Sequence, residues 1–461
     1  MQGNMALLAD YIVTMDEQRT VIQDGAVVVE GNRIVALGKK EILNEFPQAE
    51  VIGGSGRIVL PGLVNCHMHL PQMLMRGIAD DVEPLAKLGK YIWPIQGNFG
   101  EEDGLAASRL AFLEMIKAGT TCFLSTGLHP RYGIQRICSE LLNSGLRGVI
   151  SKYLMEKGSY SKQENAIHPG LWEEGETSIR QAIDLIEHWN GAENGRIHVW
   201  LSPRSVGSCS KEFLQRISEI AHNYSVGITA HWAEVPENTE YIQDTYGLTP
   251  GSFANEVGLL TPKTVFAHGI FFPESDFPLL EAAGTSVCHC PVCNSKLAMG
   301  VANIPKMLAS GVNVCLGNDG VPVNNTADMF REMRTFCLLQ RMAFKNPTFP
   351  TAEVALALAT INGARALGLE DEIGSIELGK KADLIVLNYY KPHFIPLINP
   401  LSAIVWSASG ADVETSIVDG KVLMHNRQVL TLDEPSILKE AQLRSSEVLA
   451  RAGLKKNVAI G

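Results

Sequence analysis

Two histidines stand two residues apart in the segment Asn65-Cys66-His67-Met68-His69. On an extended strand, residues i and i+2 project to the same face, so one rigid element would offer both imidazoles to a common point. Further along, His231 closes an apolar run and Glu234 follows it in His231-Trp232-Ala233-Glu234. His268, His289 and Asp319 close later apolar runs, while Thr126, Lys152 and Arg204 close others. Five of the twelve histidines therefore fall at the ends of β-like segments, in company with a carboxylate. A single histidine there would serve equally well as a core residue; five on one rim point to metal binding. Imidazoles with one carboxylate suit Zn2+ or Fe2+, whereas Mg2+ and Ca2+ prefer oxygen ligands. Glu234, just past a strand end, could stabilise a helix N-terminus. It could equally overhang a metal and pass a proton to substrate while the cation activates water. The chemistry of such a set is hydrolysis.

The elements that would position these groups lie between about Leu60 and Leu367. Short β-branched runs recur there as IVLPGLVN, TTCFLST, RGVISKYL, IHVWLSP, VGITAHW, TVFAHG, TSVCHC and VNVCLGND. Helical stretches such as EEDGLAASRLAFLEMIKAG, IQRICSELLNSG, SIRQAIDLIEHW, KEFLQRISEIAHNY and IPKMLASG separate them, several ending in Gly as a helix C-cap does. Eight strands alternating with helices over roughly 300 residues is the arithmetic of a (β/α)8 TIM barrel, with a doubly wound sheet as the alternative. Barrel active sites sit at the C-terminal strand ends, which is where the polar residues fall.

Both ends of the chain are β-like. Asp24-Gly25 precedes GAVVV, Gly31-Asn32 separates that run from RIVAL, and ADLIVLN, SAIVWS and TSIVDGKVLM recur near the C-terminus. The two ends are expected to build one small antiparallel β-sandwich domain. The expected division is residues 1–59 and 368–433 for that domain, 60–367 for the barrel, and 434–461 for a closing amphipathic helix and tail.

Composition narrows the function classes. Lys and Arg number 39 against 50 Asp and Glu, a net charge of −11 over 461 residues. Such a balance argues against a nucleic-acid partner, whose phosphates need a basic face. No apolar run reaches the ~20 residues of a membrane span, and the first residues carry no signal-peptide pattern. Nine cysteines without a bridging pattern read as reduced, buried thiols. The cysteines of CHCPVC lack the second pair that a zinc tetrahedron needs. A cytoplasmic protein is expected.

In order along the chain, PGLVNCHMH, AHWAE, FAHG, HCPVCNSKLAMG and LGNDGVPVNN resemble the amidohydrolase superfamily. The closest likeness is to its guanine deaminase, S-adenosylhomocysteine/methylthioadenosine deaminase and atrazine-type triazine hydrolase branch. IGSIELGKKADLIVL resembles the strand-rich accessory domain of the same group. The resemblance implies a (β/α)8 barrel with a β-sandwich from both termini, and one divalent metal, Zn2+ first and Fe2+ next. It implies His67, His69, His231 and Asp319 as metal ligands, and His268 as a further ligand or a partner of the bound hydroxide. Glu234 is then the proton shuttle, and Asp319 also takes the proton of the attacking water. Two-metal relatives carry a bridging lysine on strand four. That segment here is Ser202-Pro203-Arg204-Ser205, and Lys152 belongs to strand three, so one metal is expected.

Gln72 and Arg204 resemble guanine deaminase positions that read the purine edge and the ring carbonyl, for which a guanidinium's paired donors are suited. Gln96, Lys152 and Arg204 depart from the thioadenosine deaminase pattern, while MRGIADD and IWPIQ are similar to the adenosyl and triazine branches. With His289 and Asn294, these form the expected substrate-binding set: Gln72, Gln96, Lys152, Arg204, His289 and Asn294. The expected activity is metal-dependent deamination of an amino-substituted N-heteroaromatic ring, guanine-, pterin- or oxidised-purine-like, through metal-bound hydroxide with release of ammonia. The alternatives are an S-adenosylhomocysteine/methylthioadenosine deaminase or a triazine-type hydrolytic dehalogenase. A barrel kept as a non-catalytic scaffold is the rival from another class, and the complete set of ligands with Glu234 argues against it. The expected partners are a small heteroaromatic substrate and, by resemblance, further copies of the chain in a homodimer or larger homo-oligomer.

Overall fold

The structure is a computed structural model and describes residues 4–454. Strands β1 (Met5–Val13), β2 (Val21–Glu30), β3 (Arg33–Lys39) and β4 (Glu50–Pro61) open the chain. Gly31-Asn32 is the hairpin turn between β2 and β3, as its turn chemistry demands. Asp24-Gly25, by contrast, lies inside β2, where Asp24 takes a φ of 48°.

The barrel follows as β5 (Leu63–Met68), β6 (Thr120–Leu128), β7 (Arg147–Leu154), β8 (Ile197–Pro203), β9 (Ile228–Trp232), β10 (Thr264–His268), β11 (Ser286–His289) and β12 (Val314–Leu316). These eight strands run parallel in sequence order. The ends meet where Met68 bridges Asp319 and the Asp319 amide donates to the His67 carbonyl at 2.9 Å. The expected strands are all present, with one boundary moved. Residues 58–61 of IVLPGLVN pair with the C-terminal strand β13 (Leu384–Asn388), so the barrel begins at Leu63. Buried faces of helices such as Glu101–Ala118, Ile134–Ser144 and Lys211–Tyr224 cover the barrel, and the first two end on left-handed glycines, Gly119 and Gly145.

β14 (Val413–Val418), β15 (Lys421–His425) and β16 (Gln428–Val429) complete the second sheet, in the order β16-β15-β14-β13-β4-β1-β2-β3. Both termini do build it, but β1 and β4 pair in parallel, so the sheet is mixed and not antiparallel throughout. SAIVWS is also not a strand. Asn399 caps the helix Pro400–Trp406 by accepting from the Ser402 amide at 3.0 Å, and this cap with Pro400 in the first turn outweighs the β-branched residues.

The closing helix, Glu434–Arg451, buries Ile437, Ala441 and Val448 against the barrel and pairs Glu434 with Lys117 and Glu440 with Arg109. The tail expected at 455–461 lies outside the described residues, as do residues 1–3. All nine cysteines are buried and unpaired. Among the described residues no helix is long and apolar enough to cross a membrane.

One buried ion pair ties the barrel to the mixed sheet. Arg147, at the start of β7, donates Nε to Asp383 Oδ2 at 2.8 Å and Nη2 to Oδ1 at 3.1 Å, and both side chains are at most 2% exposed. Removing one partner strands the other's charge, which costs about 3–5 kcal/mol. Arg147→Ala is expected to lower unfolding free energy by that amount in urea titrations; a loss under 1 kcal/mol would show that the pair does not couple the two sheets.

Candidate active site

The C-terminal rim of the barrel gathers the histidines. His67 ends β5 and is fully buried; Thr126 Oγ1 on β6 lies 2.8 Å from its Nδ1, which fixes the ring and turns Nε2 inward. His69 follows the strand, with Nε2 3.1 Å from His231 Nε2 and 3.2 Å from Asp319 Oδ1. His67 Nε2 is 3.4 Å from the same oxygen, and His268 Nε2 is 3.9 Å from Asp319 Oδ2. One donor atom each from His67, His231, His268 and Asp319 fall within 4.8 Å of one another. The Nε2 atoms of His67 and His268 are buried and have no hydrogen-bond partner. Buried polar atoms are rarely left so, and imidazole nitrogens converging on a carboxylate fit a divalent cation.

Protonation states agree with that fit. Burial drives His67 down to about 3, against the pull of Asp319, and drives His231 well below the ordinary imidazole value. Burial alone would raise Asp319, but the close His67 and His69 rings outweigh it and hold the carboxyl well below the usual range. Neutral rings around an ionised carboxylate are the forms that ligate metal. Three residues of the site hold left-handed backbone: Ala233 at φ 49°, His268 at 71° and Asp319 at 60°. Such strain costs about 1–3 kcal/mol each and collects where side chains must be aimed.

Glu234 stands over the cluster. Its Oε1 is 3.6 Å from His268 Nε2, and its Oε2 accepts from the Tyr160 hydroxyl at 3.3 Å. Together with His69, Gln72, Lys87, Tyr160, Arg204, His231 and Asp319 it lines a cavity whose apolar walls include Leu85, Leu88, Ile92, Leu297, Met299 and Val323. Arg204 is 6% exposed and its Nη1 is buried without a partner. Burial works against its charge, yet Tyr153, Glu234, Tyr160 and Asp319 more than offset this and raise its pKa. The cavity has a volume of about 40 Å3, against ~300–1,000 Å3 for ordinary ligand pockets. A groove of about 1160 Å3 between residues 73–91 and the C-terminal helix contains none of the clustered groups.

With this geometry in view, the comparisons with known proteins are decisive. The amidohydrolase family profile matches residues 58–423. The chain belongs to the amidohydrolase family. It is 37% identical to 5'-deoxyadenosine deaminase of Methanosarcina acetivorans, over 96% of this chain and 98% of that protein. It is 34% identical to 5-methylthioadenosine/S-adenosylhomocysteine deaminase of Pelotomaculum thermopropionicum, over 97% and 100%. A crystal structure of an adenosine deaminase from Xanthomonas campestris with bound zinc superposes with a TM-score of 0.88 at 26% identity, covering 97% of this chain and 99% of that one. This amidohydrolase is thus a hydrolase whose donor set suits a divalent metal.

Of the six substrate-binding candidates, the amidohydrolase brings only Gln72 and Arg204 to the cavity wall, Gln72 lying against Gly320 next to Asp319. Lys152 points outward from β7. Its Nζ reaches Glu173 Oε2 at 2.7 Å, the Tyr153 carbonyl at 2.7 Å and Ser178 Oγ at 2.9 Å, and burial lowers its pKa to about 8. Alternation on the strand gives the inward face to Tyr153, whose phenol feels Arg204 and Asp319. His289 turns edge-on to Phe336 of the covering helix Met329–Phe344 and does not line the cavity. Gln96 is buried one helical turn after Ile92, with its Nε2 unpartnered, and does not line the cavity. Asn294 contacts His268 and does not line the cavity. Tyr160 was not foreseen, since its segment GSYSKQ carries no periodic or motif signal.

Proposed function

We propose that this amidohydrolase removes the exocyclic amine of an adenine nucleoside of the 5'-deoxyadenosine type by metal-dependent hydrolysis, so that it acts on a carbon–nitrogen bond of a cyclic amidine and releases ammonia. The observation that carries the hydrolytic half is Glu234 Oε1 lying 3.6 Å from His268 Nε2, above the histidine–aspartate cluster in an enclosed, largely apolar cavity. The substrate half is supported by the relatives named for 5'-deoxyadenosine and for methylthioadenosine/S-adenosylhomocysteine. They favour the adenosyl alternative over the guanine-, pterin- or oxidised-purine-like ring expected from Gln72 and Arg204.

His67, His69, His231 and Asp319, with His268, are the residues that would hold the metal, Zn2+ before Fe2+. A divalent ion there supplies a Lewis acid able to bring a water's pKa to ~7. The chain's own groups do the rest. Asp319, kept ionised by its histidine neighbours, accepts the water's proton at a carboxylate oxygen. Glu234, oriented by the Tyr160 hydroxyl, delivers its proton to the ring nitrogen beside the reacting carbon, takes up the proton that the attacking hydroxyl sheds and passes it to the departing amine, and is reprotonated by Asp319. Leu85, Leu88 and Ile92 hold the flat ring and keep bulk water out. Arg204 Nη1 donates to an unprotonated ring atom.

A second reading keeps a base with a ring carbonyl, because a buried guanidinium with a spare donor also suits such an oxygen. One panel separates the two. Ammonia release is measured from 5'-deoxyadenosine, methylthioadenosine, S-adenosylhomocysteine, adenosine, guanine and a pterin, and chloride release from a chlorotriazine. The adenine nucleosides are expected to lead in kcat/KM by tenfold or more; guanine or the pterin in front would overturn the nucleoside reading. Arg204→Ala is expected to lower kcat/KM about 10- to 100-fold, the worth of a hydrogen bond to a charged group. An unchanged value would remove Arg204 from substrate binding.

A further inference from the structure

Asn294 sits in the short helix Pro291–Lys296 that follows β11, and it is fully buried. Its amide donates to the Cys290 carbonyl at 2.9 Å and its carbonyl accepts from Met299 at 3.0 Å, so its backbone is pinned on both sides. The side-chain Oδ1 lies 3.1 Å from His268 Nδ1, while Nδ2 has no partner. An amide oxygen can only accept, so the contact needs the ring proton on Nδ1 and leaves Nε2 with its lone pair. That nitrogen is the one facing Glu234 and Asp319. Thr126 Oγ1 stands in the corresponding place behind His67, 2.8 Å from its Nδ1.

We propose that Asn294 is a positioning residue: it fixes the ring orientation and tautomer of His268 so that Nε2 joins His67, His231 and Asp319 as a metal donor. The inference rests on the metal reading of that cluster. Partners behind metal-binding imidazoles are commonly carboxylates or carbonyls, and their loss typically costs 10- to 100-fold in metal affinity.

The test compares the wild-type chain with Asn294→Leu, which removes the acceptor at similar volume, and Asn294→Asp, which retains it. Asn294→Ala replaces the leucine if that variant does not fold. Metal content is measured after equilibration with a competing chelator, the visible spectrum is recorded for the cobalt-substituted protein, and kcat and KM are separated with 5'-deoxyadenosine. Asn294→Leu is expected to bind metal at least tenfold more weakly, to shift the cobalt bands, and to lose kcat with little change in KM. Asn294→Asp is expected to restore metal content and bands. The proposal is overturned if the leucine variant matches wild type in affinity and spectrum, or if the aspartate variant fails as badly as the leucine. A wild-type chain that holds no metal would instead sink the underlying reading of the site.

Discussion

Glu234→Gln is expected to purify with as much metal as the wild-type chain and to turn over at least about a hundredfold more slowly, since general acid–base groups contribute ~10²–10⁴. The amide retains the shape and still takes a hydrogen bond from Tyr160, but it cannot carry a proton between water, ring nitrogen and amine. Because Glu234 lies at the cavity wall and 3.6 Å from His268, the loss should fall on kcat, with KM nearly unchanged. Metal analysis and steady-state kinetics on the same preparation check it. A glutamine variant within threefold of wild type would remove Glu234 from the reaction, and one without metal would make it a ligand.

Stripping the metal is the second large effect. Chelation is expected to abolish ammonia release, and Zn2+ or Fe2+ should restore it. Stability should fall as well, because a ligand held only by the folded chain at a thousand times its Kd contributes about 4 kcal/mol. His67, His231 and His268 are fully or almost fully buried, and two of them present unpartnered Nε2 atoms. Without the ion, those nitrogens and the Asp319 carboxylate converge with nothing to bridge them. A melting curve recorded with and without chelator therefore shifts in step with the activity. Activity that survives exhaustive chelation would overturn the metal reading.

The barrel could be read from the chain because each strand is a short β-branched run that ends in a polar residue, and the ends coincide with the rim. His67 lies in β5 with His69 just past its end, and His231, His268 and Asp319 lie at or just beyond the ends of others, so local spacing already grouped them. What could not be read is phase and partnership between distant segments. Lys152 and Tyr153 are adjacent, and a single-residue difference in facing decides which one meets Arg204. SAIVWS looks extended by composition, yet the Asn399 cap converts it to helix. The parallel pairing of β1 with β4 has no local signature. Asn294 is expected among the substrate-binding residues, whereas its oxygen turns to the back of His268.

The mixed sheet is hydrogen-bonded through β4 and β13, strands that stand on opposite sides of the whole barrel in the chain. During synthesis β4 has β1 on one flank, while its other flank cannot be satisfied until Leu384–Asn388 has left the ribosome. An unpaired strand edge invites association with other chains, and pairings so remote in sequence form slowly. The nascent polypeptide thus carries an open edge through the synthesis of the whole barrel, until Leu384–Asn388 emerges to close it.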